Sequence, residues 1–273
     1  MNRRTFGSRL VASPYLLWMV LFIVVPLLMV VYYAFTDKTG AFTTEHIFAL
    51  SRYGQTLGIS VLYAFIATAI CLFISFPFAY FMARSAKKRQ RVMMLLVMLP
   101  MWMNFLIRIY SWITILSNTG IINTLLGKLG LGPVQLINTP GAVILGMVYN
   151  FIPYMILPIY SVMCKIDRPL LEAADDLGSG AWMKLKRIIL PMSVPGIVSG
   201  VTMVFVPAVS TFYISQKLGG GKTLLIGDAI EAQFMNTGNY NLGASLSLVL
   251  MVMILISMFF MNRFADEDGG VLI

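Results

Sequence analysis

The chain has 273 residues, of which 59% are hydrophobic and only 11% are charged. Soluble domains carry about 25% charged residues, so the composition excludes an ordinary soluble domain and indicates a membrane protein. The formal net charge of +9 is accounted for by basic loops at the ends of membrane spans, and it does not predict a nucleic-acid-binding protein.

Six apolar segments are long enough to cross a bilayer, because about 20 residues at a rise of about 1.5 Å each span about 30 Å of hydrocarbon. Helices are the expected elements, since a helix satisfies its own backbone hydrogen bonds in lipid. The sequence therefore predicts an all-α membrane protein with one transmembrane domain over residues 1–273. The predicted spans are 15–35, 61–82, 92–116, 142–164, 192–216 and 242–262.

Lysine and arginine residues favour one side of these spans. Fourteen of the 20 lie at one set of helix ends and loops, and six lie elsewhere. Because basic loops stay in the cytoplasm, this asymmetry predicts cytoplasmic N- and C-termini and a cytoplasmic loop at 165–191. Outside loops are expected at about 36–60, 117–141 and 217–241.

The loop between the fourth and fifth spans is rich in charge and glycine, and residues 170–196 read LLEAADDLGSGAWMKLKRIILPMSVPG. Pro169 is expected to open a helix with Glu172 in its first turn, where the helix dipole favours an acid. Gly178 permits a sharp turn into a second helix, which Pro191 is expected to end. Such a hairpin fits a groove on a soluble partner, and the alternative is a solvated amphipathic loop.

The spacing in this loop (Glu-Ala-Ala, three residues, Gly, nine residues, Ile-x-Leu-Pro) resembles the EAA signature of ABC-importer permeases. Two longer stretches, Val97–Leu126 and Phe205–Phe234, resemble the spermidine/putrescine class of type I ABC permeases, in particular its first, six-helix subunit. The similarity extends from about Tyr15 to Phe260. The residues that the resemblance assigns to coupling with an ATPase are Glu172, Ala173, Ala174, Asp176, Gly178, Ile188, Leu190 and Pro191.

The resemblance implies a bacterial inner-membrane permease that imports a polyamine, or alternatively another small solute, and is not itself an enzyme. Its implied partners are a second homologous permease, an ATPase dimer on the cytoplasmic side and an extracytoplasmic solute-binding protein. ATP and magnesium would be bound by the ATPase, so no cofactor is expected in this chain.

Polar side chains at membrane depth are expected to face the protein interior or a watery cavity. The candidate translocation path consists of Trp102, Asn104, Arg108, Tyr110, Asn150, Tyr154, Thr211 and Ser215. The alternative use of such residues is hydrogen bonding between helices. Arg108 is the one charged residue within the predicted spans, and it either snorkels to the outer interface or has a gating or pairing role.

Acidic residues are expected only outside the spans, because no Asp or Glu lies within any predicted span. A polyamine path would therefore take its membrane carboxylates from the partner permease. Asp228 and Glu231, in the last outside loop, are candidate contacts for the binding protein or the solute, and simple solvation is the alternative.

The sequence disfavours several other functions. GGGKTLL at 219–225 ends like a phosphate-binding loop, but Gln216 stands where that motif requires glycine. An intramembrane enzyme would need acidic residues or histidine in the spans, and no metal site is predicted because the sole histidine, His46, lies in an outside loop. A secondary carrier usually has inverted repeats and broken helices, and the sequence shows neither.

Gly196 and Gly200 form a GxxxG motif, which predicts close helix packing.

Overall fold

The computed structural model describes residues 14–37, 39–45 and 50–269. The predicted cytoplasmic position of the extreme termini and the histidine at position 46 fall outside these ranges. Within the described ranges the protein is helical, and its extended pairing is an isolated antiparallel bridge between Thr36 and Phe42.

The described part of the chain contains eleven numbered helices, besides a short 3-10 helix at Leu50–Tyr53. They are α1 (Pro14–Ala34), α2 (Gly54–Arg84), α3 (Lys87–Trp102), α4 (Phe105–Leu116), α5 (Ile121–Lys128), α6 (Pro140–Met163), α7 (Arg168–Asp176), α8 (Ala181–Val209), α9 (Tyr213–Leu218), α10 (Ile226–Met235) and α11 (Tyr240–Gly269). A π-helical turn interrupts α1 at Val20–Val24 and α8 at Leu185–Ile189.

The chain divides into two compact units, one made of residues 1–54 and 229–253 and the other of residues 55–228 and 254–273. In the first unit, side chains at the start of α11 donate hydrogen bonds to carbonyl groups at the end of α1. Asn241 Nδ2 donates to the carbonyl oxygen of Thr36 at 2.6 Å, and Ser245 Oγ donates to that of Ala34 at 3.1 Å. The last carbonyl groups of a helix have no partner within it, so these bonds fix where α1 ends.

In the second unit, α6 and α8 pack against each other more extensively than any other pair of helices described. Gly196 and Gly200 lie on the contacting face of α8, which confirms the close packing predicted from the GxxxG motif. A Cβ atom at Gly196 would lie 2.9 Å from the carbonyl oxygen of Pro158, and one at Gly200 would lie 2.7 Å from the sulfur of Met155. The two backbones therefore approach too closely for larger residues.

The number of membrane spans agrees with the sequence. Six helical stretches are long and apolar enough to cross a membrane: Pro14–Ala34, Ser51–Arg84, Phe105–Lys128, Pro140–Met163, Ala181–Val209 and Tyr240–Met261. The third of them consists of α4 and α5, which are separated by a turn at 117–120. The first, fourth and sixth begin and end within two residues of the predicted ranges, and the second is longer at its N-terminal end. The predicted bounds of the third and fifth are wrong.

The third predicted span, 92–116, is interrupted near its middle. α3 ends at Trp102, Met103 is extended with φ −74° and ψ 146°, and Asn104 caps the start of α4. The Oδ1 atom of Asn104 accepts a hydrogen bond of 2.8 Å from the backbone N–H of Leu106. The apolar segment thus forms two helices, because an asparagine cap starts a new helix where hydropathy alone shows no break.

The fifth predicted span, 192–216, begins earlier and ends earlier than expected. α8 starts at Ala181, inside the charged loop, and ends at Val209. Residues 210–212 separate it from the short helix α9. Ser210 Oγ donates to the carbonyl oxygen of Val206 at 3.2 Å. The serine hydroxyl thus hydrogen-bonds one of the last carbonyl groups of α8 at this break.

We expect Gly196→Val to lower the apparent melting temperature of the purified protein in detergent, because the valine side chain would force α8 away from α6. Overpacking of this kind costs about 1–3 kcal/mol. The matched control is Gly58→Val in α2, where a Cβ atom meets nothing within 4 Å. Equal melting temperatures for the two variants would contradict the close packing.

Candidate functional site

The loop at 165–191, called here the EAA hairpin, consists of α7, a glycine turn and the first part of α8. Pro169 lies in the first turn of α7, as predicted, but the expectation that Glu172 lies in that turn is wrong, since α7 begins at Arg168 and its first turn contains no acid. Gly178 has φ +74°, a left-handed conformation that glycine adopts without strain. Its N–H donates to the carbonyl oxygen of Asp175 at 2.8 Å, and the predicted turn is confirmed.

Pro191 does not end the second helix of the EAA hairpin, which corrects the sequence prediction. The chain continues without interruption from Ala181 to Val209, through a π-helical turn at Leu185–Ile189. Pro191 then occupies the first turn of the α-helical segment that follows. A proline is tolerated there because the first N–H groups of an α-helical segment have no carbonyl partner within it. The second arm of the hairpin is therefore continuous with the fifth span.

The EAA hairpin exposes both charged and apolar side chains. Of the eight predicted coupling residues, Ala174 is buried, Ile188 is half-buried, and the other six are exposed. Leu177 is 87% exposed and Trp182 is 75% exposed, one on each side of the turn. Both side chains are therefore available for contact with another protein. Leu177 was missed by the sequence reasoning, although its place next to the turn glycine was a usable signal.

An ion pair links the two arms of the EAA hairpin. Lys184 Nζ donates to Asp175 Oδ1, and Asp175 is about half exposed. Exposed pairs contribute at most about 1 kcal/mol, so the bond orients the arms more than it stabilises the protein.

The candidate path residues of the third predicted span occupy different environments. Asn104 is exposed and caps α4, while Trp102 is 71% exposed and Tyr110 is 50% exposed. Arg108 is 9% exposed, and its guanidinium carbon lies 5.8 Å from the centre of the Phe105 ring. The side chain therefore packs inside the second unit, and its Nε has no hydrogen-bond partner among the described residues. Whether Arg108 gates, pairs or snorkels stays a prediction.

The remaining path candidates are divided in the same way. Tyr154 is 40% exposed, but Asn150 is 2% exposed and donates from Nδ2 to the carbonyl oxygen of Gly146 at 2.8 Å. Thr211 is 9% exposed and Ser215 is fully buried. These residues thus differ in burial, and the prediction that they line one path stays a prediction.

Asp228 is not a loop residue, which corrects the interpretation of the last outside loop. It lies in the first turn of α10 and is 4% exposed. Its Oδ1 accepts from Ser215 Oγ at 2.9 Å, and its Oδ2 accepts from the N–H of Leu225 at 2.7 Å. A buried carboxylate with these bonds holds its own chain together, and this argues against direct contact with a binding protein. Glu231, one turn later, is half-buried.

The glycine run at 219–221 forms a tight turn against the loop before α6. Gly220 has φ +58°, and a Cβ atom there would lie 2.2 Å from Oδ1 of Asn138. The N–H of Asn138 donates to the carbonyl oxygen of Leu218 at 2.9 Å. The helix that precedes this run is α9, whereas a phosphate-binding loop follows a strand. The glycines therefore serve close packing.

Residues 75–266 match the family described as binding-protein-dependent transport system inner membrane component. The chain belongs to this family. The matched range contains the EAA hairpin and five of the six candidate spans in whole or in part. The chain is therefore a multi-pass permease component of an ABC importer.

Several relatives are similar in sequence to this chain over most of its length. The spermidine/putrescine transport system permease protein PotB of Escherichia coli K12 is 39% identical over 245 residues, which cover 86% of this chain and 89% of the relative. The protein of the same name from Haemophilus influenzae is 38% identical over 256 residues and 90% of each chain. The inner membrane ABC transporter permease YdcU of Escherichia coli is 29% identical over 87% of this chain and 82% of its own.

Solved structures share the fold at low identity. A chain of a bacterial ABC transporter that imports the acidic polysaccharide alginate superposes with a TM-score of 0.78 and 18% identity, over 99% of this chain and 98% of its own. A second structure of an alginate transporter, in complex with a periplasmic protein that holds an alginate pentasaccharide, matches with the same TM-score over 97% of this chain and 96% of its own. At this identity the likeness confirms the fold alone.

We expect Asp228→Ala to lower the apparent melting temperature, because Ser215 and the N–H of Leu225 would lose their buried acceptor. Such a loss costs about 1–3 kcal/mol. The control is Glu45→Ala, which removes an exposed carboxylate. A melting temperature unchanged by Asp228→Ala would show that this buried network does not stabilise the fold.

Proposed function

We propose that the chain is one of two homologous permease subunits of a type I ABC importer that moves spermidine or putrescine from an extracytoplasmic binding protein into the cytoplasm. The observation that carries the solute class is 38–40% identity to spermidine/putrescine permeases over 86–90% of the chain. The fold alone leaves the solute open, since an importer of an acidic polysaccharide has the same fold. A permease for another small solute is therefore the alternative.

In this proposal the EAA hairpin docks into a groove of a cytoplasmic ATPase dimer, which binds ATP and magnesium while this chain holds no cofactor. Two features of the hairpin support docking. Leu177 and Trp182 are apolar side chains that project from it, and an aromatic anchor in a groove is the usual centre of such an interface. Glu172 and Asp176 form an exposed acidic surface near them, and Ala173 is exposed as well.

Motion of the ATPase dimer would reach the membrane through both arms of the EAA hairpin. α7 follows α6 after a four-residue connection, and the second arm is continuous with α8. Because α6 and α8 pack closely, a displacement of the hairpin moves them as a body. Rigid-body switching of this kind produces inward- and outward-facing states.

The solute path would be completed by the second permease. The exposed aromatic residues Trp102, Tyr110 and Tyr154 are available to meet a cation or a neighbouring subunit. Arg108 is buried, so little of its side chain is accessible to a solute. Because no Asp or Glu lies within the predicted spans, the carboxylates that a polyamine needs would come from the partner subunit.

We expect Gly178→Val to abolish uptake by the assembled transporter while membrane insertion remains normal and ATP hydrolysis becomes independent of the binding protein. A β-branched residue at φ +74° is strained by about 1–3 kcal/mol, which would displace the arms of the hairpin. The matched control is Gly180→Val, since Gly180 has φ −64° and a Cβ atom there meets nothing within 4 Å. Normal uptake by the Gly178 variant would remove the hairpin from the coupling mechanism.

The solute class is tested with the reconstituted transporter and its binding protein in proteoliposomes. We expect ATP-dependent uptake of radiolabelled spermidine or putrescine, and none of a neutral sugar or an alginate oligosaccharide. Uptake of a different solute together with no polyamine uptake would contradict the polyamine proposal and leave the permease assignment intact.

A further inference from the structure

A polar cavity of about 550 Å³ lies where α2 ends and where α3 and α7 begin. Three basic residues, Arg84, Lys87 and Arg168, contribute to its wall, and Asp167 is the one acidic residue there. The lining thus carries an excess of positive charge. By the positive-inside prediction this cavity faces the cytoplasmic leaflet, so its placement in the cell rests on the orientation given above.

The positive charge of Arg84 is only partly compensated by the chain. Its Nη1 donates to the carbonyl oxygen of Ile166 at 3.1 Å, and its guanidinium carbon lies 5.6 Å from the centre of the Tyr80 ring. Its Nε and Nη2 are buried and have no hydrogen-bond partner among the described residues. A buried, unpaired cationic donor is costly, and a nearby anion would reduce that cost.

Two helices begin at the same cavity, and neither is capped by a side chain. The N-cap residues are Ala86 for α3 and Asp167 for α7, and no side-chain cap hydrogen bond is made at either position. Neither helix has an acid in its first turn. The first N–H groups of both helices therefore add partial positive charge to that of the basic side chains.

The charge at the start of α3 is positive, whereas an isolated helix favours acidic residues at its N-terminus. Lys87, Lys88 and Arg89 occupy its first three positions, where the helix dipole repels cations. The wall behind them is fixed, because Gln90 Nε2 donates to the carbonyl oxygens of Ala83 and Ser85, each at 3.0 Å. Basic side chains, uncapped N–H groups and a fixed wall are the components of an anion site.

We propose that this cavity, here the inner basic cavity, binds a phosphate group through Lys87, Arg168 and the first N–H groups of α3 and α7. The cavity is larger than a bare phosphate ion and has room for the glycerol of a phospholipid headgroup. Basic pockets between helices on the cytoplasmic side of membrane proteins bind such headgroups. The phosphate is supplied either by an anionic lipid of the inner leaflet or by soluble phosphate.

The test compares two double variants of the full chain that lose the same charge. Lys87→Gln with Arg168→Gln alters the inner basic cavity, whereas Lys88→Gln with Arg89→Gln alters exposed basic residues of α3 that do not line it. Each purified protein is titrated in neutral detergent with short-chain phosphatidylglycerol, short-chain phosphatidylcholine or inorganic phosphate. The readouts are the apparent melting temperature and lipid adducts in native mass spectrometry.

We expect phosphatidylglycerol to bind the unaltered protein and the Lys88/Arg89 variant with similar affinity, and the Lys87/Arg168 variant about tenfold more weakly or worse. Loss of charge-assisted hydrogen bonds of this kind accounts for such a factor. The same pattern with inorganic phosphate alone would identify soluble phosphate as the source. Equal weakening in the two double variants, or equal binding of phosphatidylcholine and phosphatidylglycerol, would overturn the proposal. Neither outcome bears on the solute or on the ATPase.

Discussion

The close approach of α6 and α8 is the contact on which the rest of the second unit depends. In lipid there is little hydrophobic drive for helices to associate, so they rely on van der Waals contact between backbones that lie close together. Gly196 and Gly200 provide that contact. Because the EAA hairpin is joined to α6 at one end and continues into α8 at the other, this pair fixes where the hairpin lies and receives any force applied to it.

Many of the polar residues at membrane depth form hydrogen bonds at the ends of helices. Asn104 caps the start of α4, Ser210 donates to a carbonyl group where α8 ends, and Ser215 in α9 donates to the buried Asp228. Backbone that leaves the helical conformation within a membrane must be satisfied by protein or by water in a cavity. The breaks also remove one sequence argument against a secondary carrier, namely the absence of broken helices. The assignment to ABC importers therefore rests on the family match and the EAA spacing.

Hydropathy predicted the spans that are uninterrupted and failed where local hydrogen bonding decides. The third span was misplaced because an asparagine cap divides an apolar segment, and the fifth because a π-helical turn carries the helix past Pro191. The glycine turn at Gly178 was predictable, since only a left-handed residue allows so sharp a reversal. The burial of Asp228 was not predictable, because its partner Ser215 comes close only through the turn at 219–221. The inner basic cavity escaped prediction for a similar reason, as Arg84 and Arg168 are far apart in sequence.

The charges of this chain explain why a permease of polyamines would need a second subunit. The one charged residue within the predicted spans is a cation, Arg108, and it is buried. Two unit charges about 8 Å apart at an effective dielectric constant of about 20 interact with about 2 kcal/mol, and a polyamine carries more than one charge. In a path lined by this chain alone, Arg108 would therefore repel a polyamine at membrane depth, where the polyamine is least hydrated. The first span, none of whose most apolar stretch is buried, and the exposed aromatic residues of α3 and α4 leave ample surface for lipid and for a partner. A partner that brings carboxylates to the path would convert the repulsion into binding.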